Sequence, residues 1–236
     1  MSVFRFKQFA VDQTGCAMKV NTDGVLLGAM AQVEAPKRIL DIGTGTGVIA
    51  LMLAQRFPSA TVDAIEIDTE AARAAGRNFK NSPFADRISC HAVALGDFEP
   101  EKPYDLMVSN PPYFLHSLKN HDIRKRIARH TDMSFFAQLL DRSVRWLKPG
   151  GELQLIVPIA LADQVGQKAE NAYGMVKKGC TTIRSFSSHP PIRRVLAVGK
   201  GPGHSECTEC EFLIYERNGI YSAAYRRLLK DFFLAF

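Results

Sequence analysis

The sequence predicts a doubly wound α/β fold, and three observations carry that reading. From residue 37 onward, short β-like runs alternate with segments of helical periodicity. A glycine-rich turn joins the first such strand to the first such helix. No internal repeat, low-complexity tract or Gly/Ser linker divides the chain. Strands separated by helices imply right-handed crossovers and a parallel sheet covered on both faces.

Taken in order, "RILDIG" is the first strand and "VIALMLAQRF" a helix with apolar residues at helical spacing. "ATVDAIEI" is a second strand, followed by "TEAARAAGRNFKN", a helix for which Thr69 is the expected N-cap. "RISCHAV" and "YDLMVSN" are the third and fourth strands. "DMSFFAQLLDRSVRWL" is a long helix that Pro149 and the glycines of "KPGG" are expected to end. "ELQLIVP" is a fifth strand, with a helix over Ile159–Tyr173 behind it. In the last quarter "MVKKGCTTIRSF", "RRVLAVGK" and "ECEFLIYE" read as strands with turn-rich links, expected to add antiparallel at one sheet edge. The expected organisation is one domain over 1–236. It comprises an N-terminal cap (1–35), a cofactor-binding and catalytic core (36–174), and an antiparallel edge with a basic C-terminal segment (175–236).

Composition excludes several classes. No apolar stretch approaches the roughly 18 residues of a membrane helix, and "MSVFRFKQF" lacks the apolar centre of a signal peptide. Five cysteines without a framework spacing fit a reducing compartment, so the cytoplasm is expected. A formal charge of +6 favours a polyanionic partner, nucleic acid above all.

The turn "LDIGTGTG" places glycines at 43, 45 and 47, where backbone can pass close to a ligand at a helix N-terminus. A dinucleotide is the first ligand such a loop brings to mind. Two details oppose it: the spacing is G-x-G-x-G, and Asp41 sits just ahead, expected to point negative charge at the pocket. A carboxylate there repels pyrophosphate and suits the ammonium of an amino-acid-bearing ligand. Glu66 ends the second strand 19 residues after Gly47, where an acidic side chain accepts from ribose hydroxyls. Ribose plus ammonium, without phosphate, describes S-adenosylmethionine. The alternative is a glycine turn that serves only the chain's own geometry.

The fourth strand leaves through "VSNPPYF". Pro111 and Pro112 have no N–H, and each pushes its predecessor toward extended backbone. Asn110 and Pro111 therefore stand at the carboxyl edge of the sheet, where doubly wound folds bind ligands, offering oxygen acceptors. A ring-conjugated exocyclic amine is a poor nucleophile because its lone pair is delocalised. Two acceptors holding its two hydrogens, the Asn110 side-chain oxygen and the Pro111 carbonyl, localise that pair toward a methyl donor. Tyr113, beside Phe114, offers a stacking face for a base that has left its stack. Carbon methylation of a pyrimidine would need a nucleophilic cysteine, and none follows a proline here. Taken alone, the segment also reads as a diproline turn with a buried tyrosine.

"DIGTGTG", "AIEID" and "NPPY", in this order, resemble class I methyltransferases acting on planar nitrogen. DNA adenine methyltransferases and release-factor glutamine methyltransferases share them. Three further stretches are sharper: residues 4–29, "SLKNHDIRKRIARHTD" at 117–132, and the terminus "YRRLLKDFFLAF". With these the whole chain resembles the bacterial tRNA1(Val) adenine-37 N6-methyltransferase family. The resemblance implies a Rossmann-like class I methyltransferase sheet, S-adenosylmethionine as cofactor and tRNA as partner, with no metal, membrane or obligate protein partner. It implies that Lys19, Thr22 and Asp23 border the cofactor, and that Asn110, Pro111, Pro112 and Tyr113 hold the target adenine, with Asn110 expected to border the cofactor as well. Ala92 and Val93 are expected beside the cofactor adenine, at a strand end where many relatives carry an acidic residue.

Arg124, Lys125, Arg126 and Arg129 follow the catalytic strand in an expected loop and are the first candidates for phosphate contacts. Arg193, Arg194, Arg226 and Arg227 come second. His130 reads either as an RNA contact or as a cap for the helix that follows. Cys207 and Cys210, with His204 upstream, lack the second ligand pair of a structural zinc site and read as reduced cysteines. Two other functions remain open: methylation of a protein glutamine amide, which also offers a planar NH2, and a non-catalytic RNA-binding module on the same fold. The basic run counts against the first, and the intact glycine loop and Asn110 count against the second.

Overall fold

Order within the main sheet decides where a site can form. The computed structural model describes residues 3–16, 18–111, 123–201 and 208–236, with the side chains of 123–132 and 208 excepted. In chain order the elements are β1 (Val3–Arg5), β2 (Ala10–Asp12), α1 (Thr22–Met30), β3 (Arg38–Ile42), α2 (Val48–Arg56), β4 (Thr61–Glu66) and α3 (Thr69–Lys80). Then come β5 (Ile88–Ala92), β6 (Tyr104–Ser109), α4 (Ile123–Trp146), β7 (Leu147–Val157) and α5 (Ile159–Tyr173). The chain closes with β8 (Val176–Arg184), β9 (Pro191–Gly199), β10 (Thr208–Leu213), β11 (Tyr215–Arg217), β12 (Ile220–Tyr221) and α6 (Ala223–Leu229).

Eight strands pair in the order β10-β8-β9-β7-β6-β3-β4-β5. β3 to β7 are all parallel. The chain moves outward from β3 through β4 to β5, then returns to lay β6 on the other side of β3. That reversal leaves a crevice at the carboxyl ends of β3 and β6. Alternation along each strand builds two cores. Ile39, Val62, Leu106 and Val108 face α1, α2 and α3, while Leu40, Ile42, Ile65 and Met107 face α4 and α5. Leu26 and Leu27 of α1 are fully buried, each worth roughly 1.5–3 kcal/mol of apolar burial. The N-terminal cap is thereby fixed to the sheet.

Four local expectations change. Antiparallel pairing at the C-terminal edge is carried by β9 alone, against both β7 and β8, while β10 runs parallel to β8. β8 follows a helical crossover from β7 and must run parallel to it, and the short link to β9 then allows only an antiparallel partner. Second, Asp68 rather than Thr69 caps α3, accepting from the N–H groups of Glu70 and Ala71. Third, the basic cluster Arg124, Lys125, Arg126 and Arg129 lies within α4 and not in a loop; no glycine or proline interrupts residues 113–148. Fourth, β7 starts at Leu147 and not at Glu152, so "KPGG", which follows the end of α4 at Trp146 as expected, belongs to the strand, with Gly150, at φ 79°, in its register shift. The helix at Ile159–Tyr173 is as expected. Among the described residues no helix is long and apolar enough to cross a membrane.

Candidate active site

The glycine turn hangs from the end of β4. The N–H groups of Gly43 and Thr44 both donate to the Ile65 carbonyl at 2.9 and 3.1 Å, and that of Gly47 to the Thr44 carbonyl at 2.8 Å. The Gly45 N–H donates to Glu66 Oε2 at 2.9 Å. With these amides already used, the turn does not offer the row of free N–H groups that a pyrophosphate needs. Gly43 and Gly45 adopt positive φ, and a Cβ on either would project into open space. Gly47 also has positive φ, but a Cβ there would strike the Phe79 ring. Its role is packing; it does not border the cavity.

Asp41 is fully buried and does not point into the cavity, contrary to expectation. Strand alternation turns it toward α2, where its Oδ2 accepts from Thr44 Oγ1 at 2.6 Å and from the Ala50 N–H at 3.2 Å. It thus caps the helix whose own N-cap, Gly47, has no side chain to do so. Oδ1 has no hydrogen-bond partner among the described residues. Burial is the main cause that pushes the Asp41 carboxyl up to about 7, with the nearby charge of Glu66 a minor one.

A cavity of about 410 Å³ opens over the turn at the crevice between β3 and β6, within the usual range for a small-molecule site. Among the expected residues, Lys19, Gly43, Gly45, Glu66, Val93, Asn110 and Pro111 line it. Asn110 and Pro111 stand beside Ser109, whose hydroxyl donates to the Ile42 carbonyl at 2.8 Å and ties the ends of β6 and β3 together. Pro112, Tyr113 and Phe114 lie outside the described residues, as do the side chains of the α4 basic cluster and of His130, and His204 and Cys207 entirely.

Thr22, Asp23 and Ala92 do not border the cavity. Asn21 caps α1 by accepting from the Gly24 N–H, so the cavity meets Asn21 and Gly24. The Asp23 carboxylate turns instead to Arg193 Nε at 2.7 Å. Ala92 is exposed at the end of β5, and the next residue, Val93, takes the cavity side. Sequence reasoning missed Ile67, Leu95, Phe135 and Gln138, which also line the cavity. Only Ile67 carried a signal, as an apolar residue just past the strand end; in the structure it is 75% exposed. It also missed Asn78, whose side chain exchanges bonds with the Asp12 backbone and donates to the Thr46 carbonyl, clamping β2 to the glycine turn.

Comparison with known proteins gives this geometry a lineage. Residues 16–176 match the family model of the methyltransferase small domain. A protein of Pedobacter heparinus named tRNA1(Val) (adenine(37)-N6)-methyltransferase is 50% identical over 100% of this chain and 99% of its own length. A protein of the same name from Aeromonas hydrophila is 41% identical, covering 99% of this chain and 98% of its own. Among solved structures, a protein from Agrobacterium tumefaciens described as a predicted O-methyltransferase superposes with a TM-score of 0.68 at 21% identity, covering 89% of this chain and 96% of that one. That likeness concerns the fold: a class I, Rossmann-like methyltransferase sheet. By identity along its whole length and by the matched domain, the chain belongs to the tRNA1(Val) (adenine(37)-N6)-methyltransferase family.

Proposed function

We propose that this enzyme transfers a methyl group from S-adenosylmethionine to N6 of adenine 37 in tRNA1(Val). The observation that carries the reading is the juxtaposition in one cavity of a phosphate-excluding glycine turn, Glu66 and the Asn110–Pro111 edge. The residues fit that cofactor. Gly43 and Gly45 leave a cradle that any Cβ would fill. Each Glu66 oxygen accepts one protein N–H and keeps a lone pair for a ribose hydroxyl. Ile67, Val93 and Leu95 give a flat purine an apolar lining, and Lys19 gives a carboxylate a counter-charge. Asp41 acts as a positioning residue, holding the turn and the start of α2 from beneath.

Bound, the cofactor supplies an electrophilic methyl on a sulfonium. Asn110 and the Pro111 carbonyl accept the two hydrogens of the adenine amine, which favours a tetrahedral nitrogen with its lone pair on the donor side. Tyr113 stacks on the base and holds it in line. The nitrogen's proton passes to water after transfer, so no buried base is required. Lys125, Arg126 and their neighbours on α4 meet phosphate. The chain works as one domain in the cytoplasm, where its substrate is.

The test is methyl transfer from labelled cofactor to an unmodified tRNA1(Val) transcript, read as N6-methyladenosine after digestion. A transcript with guanine at position 37 is expected to accept none. Label appearing in release factor, or at another adenine, overturns the assignment.

A further inference from the structure

The parallel sheet brings a second feature to the edge that holds Asn110. β9 pairs antiparallel with β7, Arg194 opposite Val157, so β9 begins where β7 ends. The β8–β9 tip, residues 185–190, therefore stands on the carboxyl edge. Three arginines lock it there. Arg193 pairs with Asp23, two residues from the cavity-lining Asn21. Arg194 pairs with Asp163. Arg184 pairs with Glu211 and donates to the His189 carbonyl at 2.8 Å. The His189 N–H returns to the Phe186 carbonyl at 3.1 Å, closing the turn. Arg193 and Arg194, expected to meet phosphate, are thus engaged in positioning the hairpin.

What the tip carries is a ladder of rings. Buried Tyr225 stacks on Tyr221 at 4.6 Å, Tyr221 on Tyr215 at 5.0 Å, and Tyr215 on Phe186 at 5.3 Å, with interplanar angles of 9°, 20° and 25°. Half-buried Phe186 then meets exposed His189 at 4.9 Å. His189 is tilted by 55° to Phe186, so the parallel stack ends at Phe186 and the exposed His189 ring closes it; among the described residues no ring follows His189. The elements that carry the inner rungs also bear exposed Arg217 on β11 and exposed Arg226 and Arg227 on α6, with exposed Glu216 beside Arg217 in sequence.

We propose that the Phe186–His189 tip is a stacking platform for one unpaired base of the RNA substrate, outside the catalytic cavity. The proposal rests on the reading of the enzyme as a tRNA methyltransferase. Sequence-tolerant recognition of single strands combines a basic surface with aromatic faces on which bases stack. Loops of RNA present such bases, and the extrusion of one adenine unstacks its neighbours. A platform on the same edge as Asn110 receives a neighbour while the target enters the cavity. A peptide partner would gain nothing from the alignment of the tip with the catalytic edge.

The test compares binding of unmodified tRNA1(Val) transcript, by fluorescence anisotropy, to the wild-type enzyme, His189→Ala, Phe186→Leu/His189→Ala and His189→Tyr. Loss of one stacked base is expected to weaken binding on the order of tenfold. The loss should appear in both alanine-bearing variants, with cofactor affinity and melting temperature retained, and His189→Tyr should bind like wild type. The proposal is overturned if the alanine variants bind tRNA as wild type does, or if His189→Tyr loses as much as His189→Ala. Wild-type enzyme that binds tRNA but transfers no methyl to adenine 37 would defeat the proposed function instead. Wild-type enzyme that does not bind tRNA defeats both.

Discussion

Glu66 Oε2 accepts the backbone N–H of Gly45 at 2.9 Å, and the other oxygen of the same carboxylate accepts the Asp68 N–H at 3.0 Å. One side chain thus sets the glycine turn and the entry to α3. The turn is shaped by the group proposed to hold the cofactor's ribose, so cofactor binding and loop order are expected to be linked.

That link predicts the behaviour of Glu66 variants. Glu66→Ala is expected to weaken S-adenosylmethionine binding by about 1–3 kcal/mol, the cost of leaving polar partners unpaired. Glu66→Gln should fall between, because it keeps one acceptor oxygen and puts an NH2 against the other N–H. Titration calorimetry on folded protein decides it. Wild-type affinity in Glu66→Ala would remove Glu66 from the cofactor's partners.

The glycines separate in a second prediction. Gly45→Ala places a methyl in open cradle at φ 56°, so it should cost about 1 kcal/mol of stability while reducing cofactor affinity more sharply. Gly47→Ala drives a methyl into the Phe79 ring at φ 85° and should cost roughly 2–4 kcal/mol of stability. Gly47→Ala/Phe79→Ala should then lose less than the sum of its parts. Additive losses would mean that Phe79 does not set the constraint at Gly47.

The sequence made legible what rests on periodicity and turn chemistry. The parallel core, the helix at Ile159–Tyr173, and the placing of the glycine turn, Glu66 and Asn110 at one edge all follow from such patterns. What it hid depends on direction. Asp41 and Gly47 belong to the motif, yet strand alternation and the Phe79 ring turn them inward. Asp23 looked like a cavity residue until helix capping at Asn21 sent it to Arg193 across 170 positions of chain. Phe135 and Gln138 reach the cavity only through the packing of α4 on the sheet, which no local pattern encodes. Likewise β9 intercalates between β7 and β8 because a crossover leaves a gap, which spacing alone does not display.

Asp41 gives a pH prediction. Its carboxyl is pushed up to about 7 in the folded chain, against about 3.9 unfolded. Between these values the folded state holds the proton more tightly. This group's contribution therefore lowers stability as pH rises through the window, and levels off above pH 7. From pH 5 to 7.5 the change is on the order of 2–3 kcal/mol. Asp41→Asn keeps an acceptor for Thr44 and Ala50 and has no proton to release. Its melting temperature relative to wild type should climb across that range. A constant difference between the two proteins would place the Asp41 pKa outside the window.

The basic cluster predicts a salt signature. Each phosphate contact releases condensed counterions, so tRNA affinity should fall steeply with salt. Arg124→Glu, Lys125→Glu and Arg126→Glu combined should raise KM for tRNA and flatten that salt dependence, with cofactor affinity intact. An unchanged slope would move the phosphate-binding surface off the start of α4.

Asn110 tests the chemistry itself. It sits at the cavity edge on backbone that Pro111 keeps extended, with the Ser109 hydroxyl anchored to the Ile42 carbonyl just before it. An acceptor placed there gains most as the adenine nitrogen becomes tetrahedral and its hydrogens carry more positive charge. Interactions that strengthen only in the transition state appear in kcat and not in ground-state affinity. Asn110→Ala should therefore lower kcat at least a hundredfold, about 2.7 kcal/mol, with cofactor Kd changed by less than about threefold. Asn110→Asp keeps an oxygen acceptor, loses the NH2 donor and adds a charge, so it should retain part of the activity. Single-turnover rates with prebound tRNA separate this step from product release. Equal losses in cofactor affinity and in the single-turnover rate for Asn110→Ala would assign the residue to building the cavity wall, leaving the Pro111 carbonyl as the one acceptor of the amine.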